Sequence, residues 1–280
     1  MNRRQLLAGI MGCLVSLPLW AAPDPRLQDL KLEEQISHAQ SLCVQAGKAY
    51  QDWMYGRVTP VQARATVQSG LTGLEAFQRN AALLAVPGAQ TSIRHWSRMQ
   101  KQELKFFLDD MSTSPGQRRS MAELQKRWQN AVEIQADLLE TRRRQLTVLE
   151  TSKGPAGLQD YYRWKRSLLM VLQAELDLAR SVAEAFESKK TGRFTGQAVS
   201  LTLKAEQIPA PTSCRRAQTL YLERFSALSR VCRDAESAIT APDQDSAANL
   251  QDTEATYRQK VLASDDASLA ALRSLLSKTR

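Results

Sequence analysis

The sequence predicts an all-α fold: an elongated bundle of about seven antiparallel helices with coiled-coil-like hairpins. Three observations carry that expectation. Strong helix formers (Ala, Leu, Gln, Glu, Arg and Lys) dominate after the first 21 residues, while β-branched and aromatic residues rarely alternate with polar ones. Breakers cluster at intervals, at Gly56 to Pro60, Pro87-Gly88, Ser114 to Gly116, Gly154 to Gly157, Gly192 to Gly196, Pro209 to Pro211 and Pro242. Between them, apolar residues recur three and four positions apart, the spacing of one buried helical face.

The elements follow in order. A first helix, Arg26 to Tyr55, carries Leu32, Ile36, Ala39, Cys43, Ala46, Tyr50 and Trp53 in an unbroken heptad-like stripe. Thr59-Pro60 supplies an N-cap and a proline at the first helical position. The second helix, Pro60 to Leu84, presents Val67, Leu71, Leu74, Phe77 and Leu84, with Gly70 and Gly73 permitting close approach of a neighbour. A third, Thr91 to Met111, shows Ile93, Trp96, Met99, Leu104, Phe107 and Leu108. The fourth, Arg118 to Thr151, follows heptad spacing through Met121, Leu124, Trp128, Ala131, Leu138 and Leu149. Gln135, Arg142 and Gln145 interrupt that stripe, as if it left the core or faced a looser partner.

The fifth helix, Leu158 to Ser188, lines Leu158, Tyr161, Leu168, Leu172, Leu176, Ala179, Ala183 and Phe186 along one face. Residues 189–211 differ in texture, and Ala198 to Leu203 fits either a short strand or a helical turn. The sixth helix, Thr212 to Ile239, carries Cys214, Ala217, Tyr221, Phe225, Leu228, Cys232, Ala235 and Ile239. The seventh runs from Ser246 to the terminus, with Asp265-Asp266 a possible interruption. No internal repeat is evident. The expected organisation is a signal peptide over 1–21 and one helical bundle over 22–280, with Lys153 to Gly157 the best sub-boundary.

The leader rests on Arg3 and Arg4, then an uncharged run from Leu6 to Leu19, too short to span a bilayer but suited to a secretory h-region. Pro18 and the small Ala21 favour cleavage after Ala21, because a cut after Ala22 would put Pro23 next to the scissile bond. Asn2 to Leu7 resembles a twin-arginine signal, and Ile10-Met11-Gly12-Cys13 resembles a lipobox. The expected location is therefore periplasmic or secreted, with a lipid anchor through Cys13 as the alternative.

Removing the leader leaves 36 basic and 29 acidic residues, a formal charge of +7. With 43% apolar residues the chain can form a real core. No second long apolar stretch exists, so no transmembrane segment is expected after cleavage. The positive balance points to an anionic envelope surface or an envelope protein as partner; nucleic acid is a poor candidate for an exported chain.

Three cysteines follow the leader. Cys214 and Cys232 lie 18 residues apart on one expected helix, about 27 Å along its axis, too far to bridge. The candidate disulfide is Cys43–Cys232. Cys214, beside Arg215 and Arg216 near a helix start, reads either as a reactive thiol or as a small buried hydrophobe.

No catalytic, cofactor or metal constellation stands out. There is no P-loop, GxGxxG, CxxC, HxxxH or Glu-x-x-His, and His38 and His95 each stand alone on polar helix faces. Glu33-Glu34 and Asp109-Asp110 read as solvated turns. The candidate working surface is a basic patch of Arg142, Arg143, Arg144, Arg163, Lys165 and Arg166, flanking the Gly-Pro hinge. The sequence thus points to a non-enzymatic interaction or structural module of the cell envelope. The alternative is a small-ligand carrier or sensor with an inter-helical cavity lined by Trp53, Trp96, Trp128 and Trp164.

Overall fold

A computed structural model describes residues 24–54, 56–81, 90–112, 121–152, 154–241 and 244–278. The leader, including Cys13, and the side chain of Trp128 lie outside the described residues. Among those described, the chain is all-α. Its helices are α1 (Pro25–Met54), α2 (Pro60–Ala81), α3 (Gln90–Asp110), α4 (Met121–Thr151), α5 (Ala156–Ser188), α6 (Phe194–Glu206), α7 (Arg215–Thr240) and α8 (Gln244–Ser277). A 3-10 turn, Thr212–Cys214, precedes α7. None of these helices is long and apolar enough to cross a membrane.

Local chemistry sets the element ends. Thr59 and Gln62 form a reciprocal capping box at α2: the Gln62 N–H donates to Thr59 Oγ1 at 3.3 Å, and the Thr59 N–H donates to Gln62 Oε1 at 3.0 Å. Residues 194–206 are a helix and not a strand, because Phe194, Ala198, Leu201 and Ala205 are spaced four, three and four apart and all are buried. This segment, which fits either state by sequence, adds an eighth helix to the expected seven. Asp265 and Asp266 do not interrupt α8, because their carboxylates are taken up by neighbours: Tyr221 Oη donates to Asp265 at 2.7 Å and Ser37 Oγ to Asp266 at 3.3 Å.

Each helix packs on the next along the chain, and α8 returns against α1, closing the ring. Two apolar cores result. The first joins most of α1 to α2, α3 and the early part of α4, through Leu32, Ala46, Val67, Leu74, Trp96 and Leu138. Gly70 lets α2 sit close to α1: a Cβ there would stand 3.2 Å from Ala46 Cβ and 3.3 Å from the Leu42 carbonyl oxygen. The second core joins α5 to α8 with the end of α4, through Leu146, Tyr162, Leu168, Tyr221, Phe225 and Leu272, and Leu27 and Leu30 of α1 pack against it. Thus α1 and α4 run through both cores, changing from one to the other near Asp29–Leu32 and Leu138–Leu139.

Candidate functional site

The level at which α1 and α4 change cores is occupied by charge. On α4, the series Gln135, Leu138, Arg142, Gln145, Leu149 keeps the three-four spacing, so Arg142 points inward, where it is 4% exposed. Its guanidinium donates to Asp29 Oδ1 at 2.8 Å, to Glu33 Oε1, and to Gln145 Oε1. On α5, position 165 fills the gap between Tyr161 and Leu168 on the same buried face, which places Lys165 inside at 6% exposure. Lys165 Nζ donates to Tyr221 Oη at 2.8 Å, and Tyr221 Oη in turn donates to Asp265 Oδ1 at 2.7 Å. A second buried pair lies beyond: Arg224 of α7 donates from Nε to Glu175 Oε1 at 2.9 Å and from Nη2 to Oε2, while Tyr257 Oη donates to the same Oε1 at 2.9 Å. Arg224 Nη1 is 3.7 Å from Asp265.

These groups surround a half-enclosed cleft with about 140 Å³ of free space. It lies between α1, α4, α5, α7 and α8. Glu33, Arg142, Lys165, Glu175, Arg224 and Asp265 provide its charged wall. Ile36, Leu138, Leu172 and Leu269 are on its apolar side.

The electrostatics follow from burial. Burial drives the Asp29 carboxyl above the ordinary carboxylate range, against the lowering effect of Arg142. Burial opposes ionisation of Glu33 as well, but there Arg142 and then Lys165 prevail and hold its carboxyl low. The two acids share one guanidinium, and the deeper one takes a proton first. Burial also pushes the Tyr221 phenol well above its usual value, with the Asp265 charge adding to it, so it acts as a hydrogen-bond donor and not as a base. Four buried polar atoms around Arg142 have no hydrogen-bonding protein partner: its own Nε, Asp29 Oδ2, Gln145 Nε2 and Tyr162 Oη. Buried polar atoms are costly when unmatched, and of these four residues only Arg142 also lines the cleft. Among the described residues no group of His, Cys, Asp and Glu is placed to hold a metal ion.

The six cations of the expected basic patch do not share a surface. Arg142 and Lys165 are interior. The other four face outward but are paired: Arg143 and Arg144 with Glu140, Arg163 and Arg166 with Glu150, and Arg163 also with Asp160. Arg143 and Arg144 together hold the Glu140 carboxyl down to about 2. The expected Cys43–Cys232 bridge is absent, and Cys43, Cys214 and Cys232 are free thiols. Cys43 packs against the first core and Cys232 lies in the second, with α8 packed against both their helices. Cys214 is fully buried, and burial raises its thiol, so the adjacent arginines do not make it a thiolate.

Nor do the three described tryptophans of the expected set, Trp53, Trp96 and Trp164, line the cleft. Trp96 meets Phe77 edge-on in the first core, and Trp53 packs against the same core. Trp164 lies in the second core, donating from Nε1 to Gln218 Oε1 at 2.7 Å. The acidic pairs read as solvated turns are partly structural. Glu33 binds Arg142, Glu34 accepts from Arg273 Nε at 2.6 Å, and the buried Asp110 accepts from Tyr50 Oη at 2.7 Å. His38 and His95 are exposed. The signal for the cleft was present in the sequence as the polar breaks Gln135 and Arg142 in the α4 stripe. No family model, curated protein or solved structure matches the chain.

Proposed function

We propose that the chain is an exported helical module of the cell envelope that holds a small molecule between its helices, as a carrier or sensor. The observation that supports this reading is the cleft at the level where the two cores meet. Its lining is part charged and part aliphatic, a combination that orients a ligand by a few polar groups and encloses the rest in apolar surface. Export rests on the leader-like run, Leu6 to Leu19, behind two arginines.

Native mass spectrometry of the protein purified from its own host tests the proposal. The expected result is a discrete adduct retained under gentle ionisation and released on denaturation. A bare chain mass, together with no stabilisation by any member of a small-molecule thermal-shift panel, would overturn it. The competing reading, docking onto an anionic envelope partner, draws on the positive formal charge and on the outward arginines at 143, 144, 163 and 166. It is the weaker of the two, because glutamates already neutralise much of that surface. Unchanged envelope association after all four are replaced by Gln would remove it.

A further inference from the structure

Every carboxylate on the cleft wall has a guanidinium within ion-pair distance: Glu33 has Arg142, while Glu175 and Asp265 have Arg224. Lys165 has no such counterpart. Among the described residues no carboxylate oxygen lies within 4 Å of its Nζ, and its one hydrogen-bond acceptor is the phenol of Tyr221. Nζ stands off the hydroxyl end of that ring, 5.2 Å from its centroid. An ammonium carries three donors, and this one uses a single donor on a neutral oxygen while 6% exposed. Glu33 and Asp29 act on it from further away, and Asp265 acts through the tyrosine hydroxyl. A buried cation so placed calls for an anion of its own.

We propose that the cleft binds a small organic monoanion, a carboxylate on a short apolar tail, with Lys165 as its counter-ion. The inference rests on the reading of the cleft as a ligand site. The head group belongs beside Nζ, and the tail belongs against Leu172, Leu138, Ile36 and Leu269. A space near 140 Å³ is close to that of an engineered cavity that accepts benzene, so the guest has on the order of six to nine non-hydrogen atoms. A dianion such as phosphate is disfavoured, because Glu33, Glu175 and Asp265 face the same space. An amine or a metal cation is disfavoured by Lys165, Arg142 and Arg224, whose charges it would meet with every wall carboxylate already engaged.

Titration calorimetry on the full mature chain tests this with a fixed set of probes: the linear C4 to C8 carboxylates, benzoate, hexanamide, pentylamine and inorganic phosphate. The expected result is saturable binding of at least one carboxylate, with hexanamide at least tenfold weaker than hexanoate or without measurable binding. In both Lys165→Met and Lys165→Gln, carboxylate affinity should fall tenfold or more. In the absence of ligand, Lys165→Met should melt at or above the parent temperature, since it removes a buried charge without a carboxylate partner, and the best carboxylate should raise the melting temperature of the parent alone. Binding of hexanamide, pentylamine or phosphate in preference to every carboxylate overturns the monoanion and leaves the carrier reading standing. Equal carboxylate binding by parent and both variants overturns the role of Lys165. No binding of any probe, with no adduct in the native spectrum, overturns both.

Discussion

Arg224→Met probes a buried, bidentate ion pair of the bundle. Glu175 is 3% exposed at its side chain and Arg224 10%, and the pair is bidentate. Without the guanidinium, Glu175 keeps only the Tyr257 hydroxyl as a donor, at 2.9 Å. Breaking a buried pair from one side costs about 3–5 kcal/mol. For a chain of this length each kcal/mol moves the melting temperature by about 2–4 °C, so the variant should melt about 6–20 °C lower. Glu175→Gln should cost less, because Arg224 retains Asp265 at 3.7 Å and the amide oxygen still accepts from Tyr257. The double variant, Arg224→Met with Glu175→Gln, removes both charges and keeps that acceptor. It should recover about 2 kcal/mol or more relative to Arg224→Met alone. Urea unfolding followed by dichroism at 222 nm, supported by calorimetry, measures all four proteins. If the two single losses simply add in the double variant, the two residues are not energetically coupled and the buried network is wrongly drawn.

Three further outcomes are expected. Asp29 has a raised carboxyl, so its contribution to stability is complete below about pH 4 and is lost as pH climbs through its folded value; Glu33 is lowered, so its contribution is present above about pH 4 and is lost on acidification. Relative to the parent, Asp29→Asn should therefore gain stability with rising pH and Glu33→Gln should lose it, and parallel curves from denaturant titrations at pH 3–8 would contradict the assignment. Burial pushes the Cys43 and Cys232 thiols up to about 12, with the Glu103 carboxylate adding to the first and Glu236 to the second, so at pH 8 only about one in ten thousand is thiolate. Iodoacetamide should label neither within the time that free cysteine reacts completely, and both promptly in urea; rapid native labelling counted by mass would refute this. Gly70→Leu should destabilise by about 1–3 kcal/mol, because the side chain would drive α2 away from Ala46 and the Leu42 carbonyl. Equilibrium unfolding with no loss would show that the two helices are not in close contact there.

Much of the helical framework was legible in the sequence, because apolar residues at every third or fourth position over 20 residues or more line up only on one face of a helix. The ends were legible where a side chain closes them, as at Thr59 and Gln62. Helix α6 was obscured by Thr195, Val199 and Thr202, which suggest a strand, although Phe194, Ala198, Leu201 and Ala205 already carried the helical period. The cleft was legible only as an anomaly. Arg142 stood at an inward position of α4, yet its sequence neighbours Arg143 and Arg144 made it look like part of a solvated basic run. What decides between the two is the arrival of Asp29 and Glu33 from a helix more than a hundred residues away, which no pattern within α4 can report. Lys165 was hidden in the same way, because its acceptor Tyr221 comes from α7. The cysteines illustrate the converse: spacing correctly barred Cys214 from Cys232, but a shared apolar character could not tell which of two cores each would enter.

The sharing of α1 and α4 between the cores is unequal, and that makes one core depend on the other's helices. All four helices of the first core precede residue 152, whereas the second core borrows Leu27 and Leu30 from α1 and Leu146 and Leu149 from α4. The leading core is thus built wholly from chain before the Gly-Pro hinge, with the ends of two rods projecting past it. The trailing helices rest on those projecting ends, and the cleft owes one of its walls to the last rod of the chain.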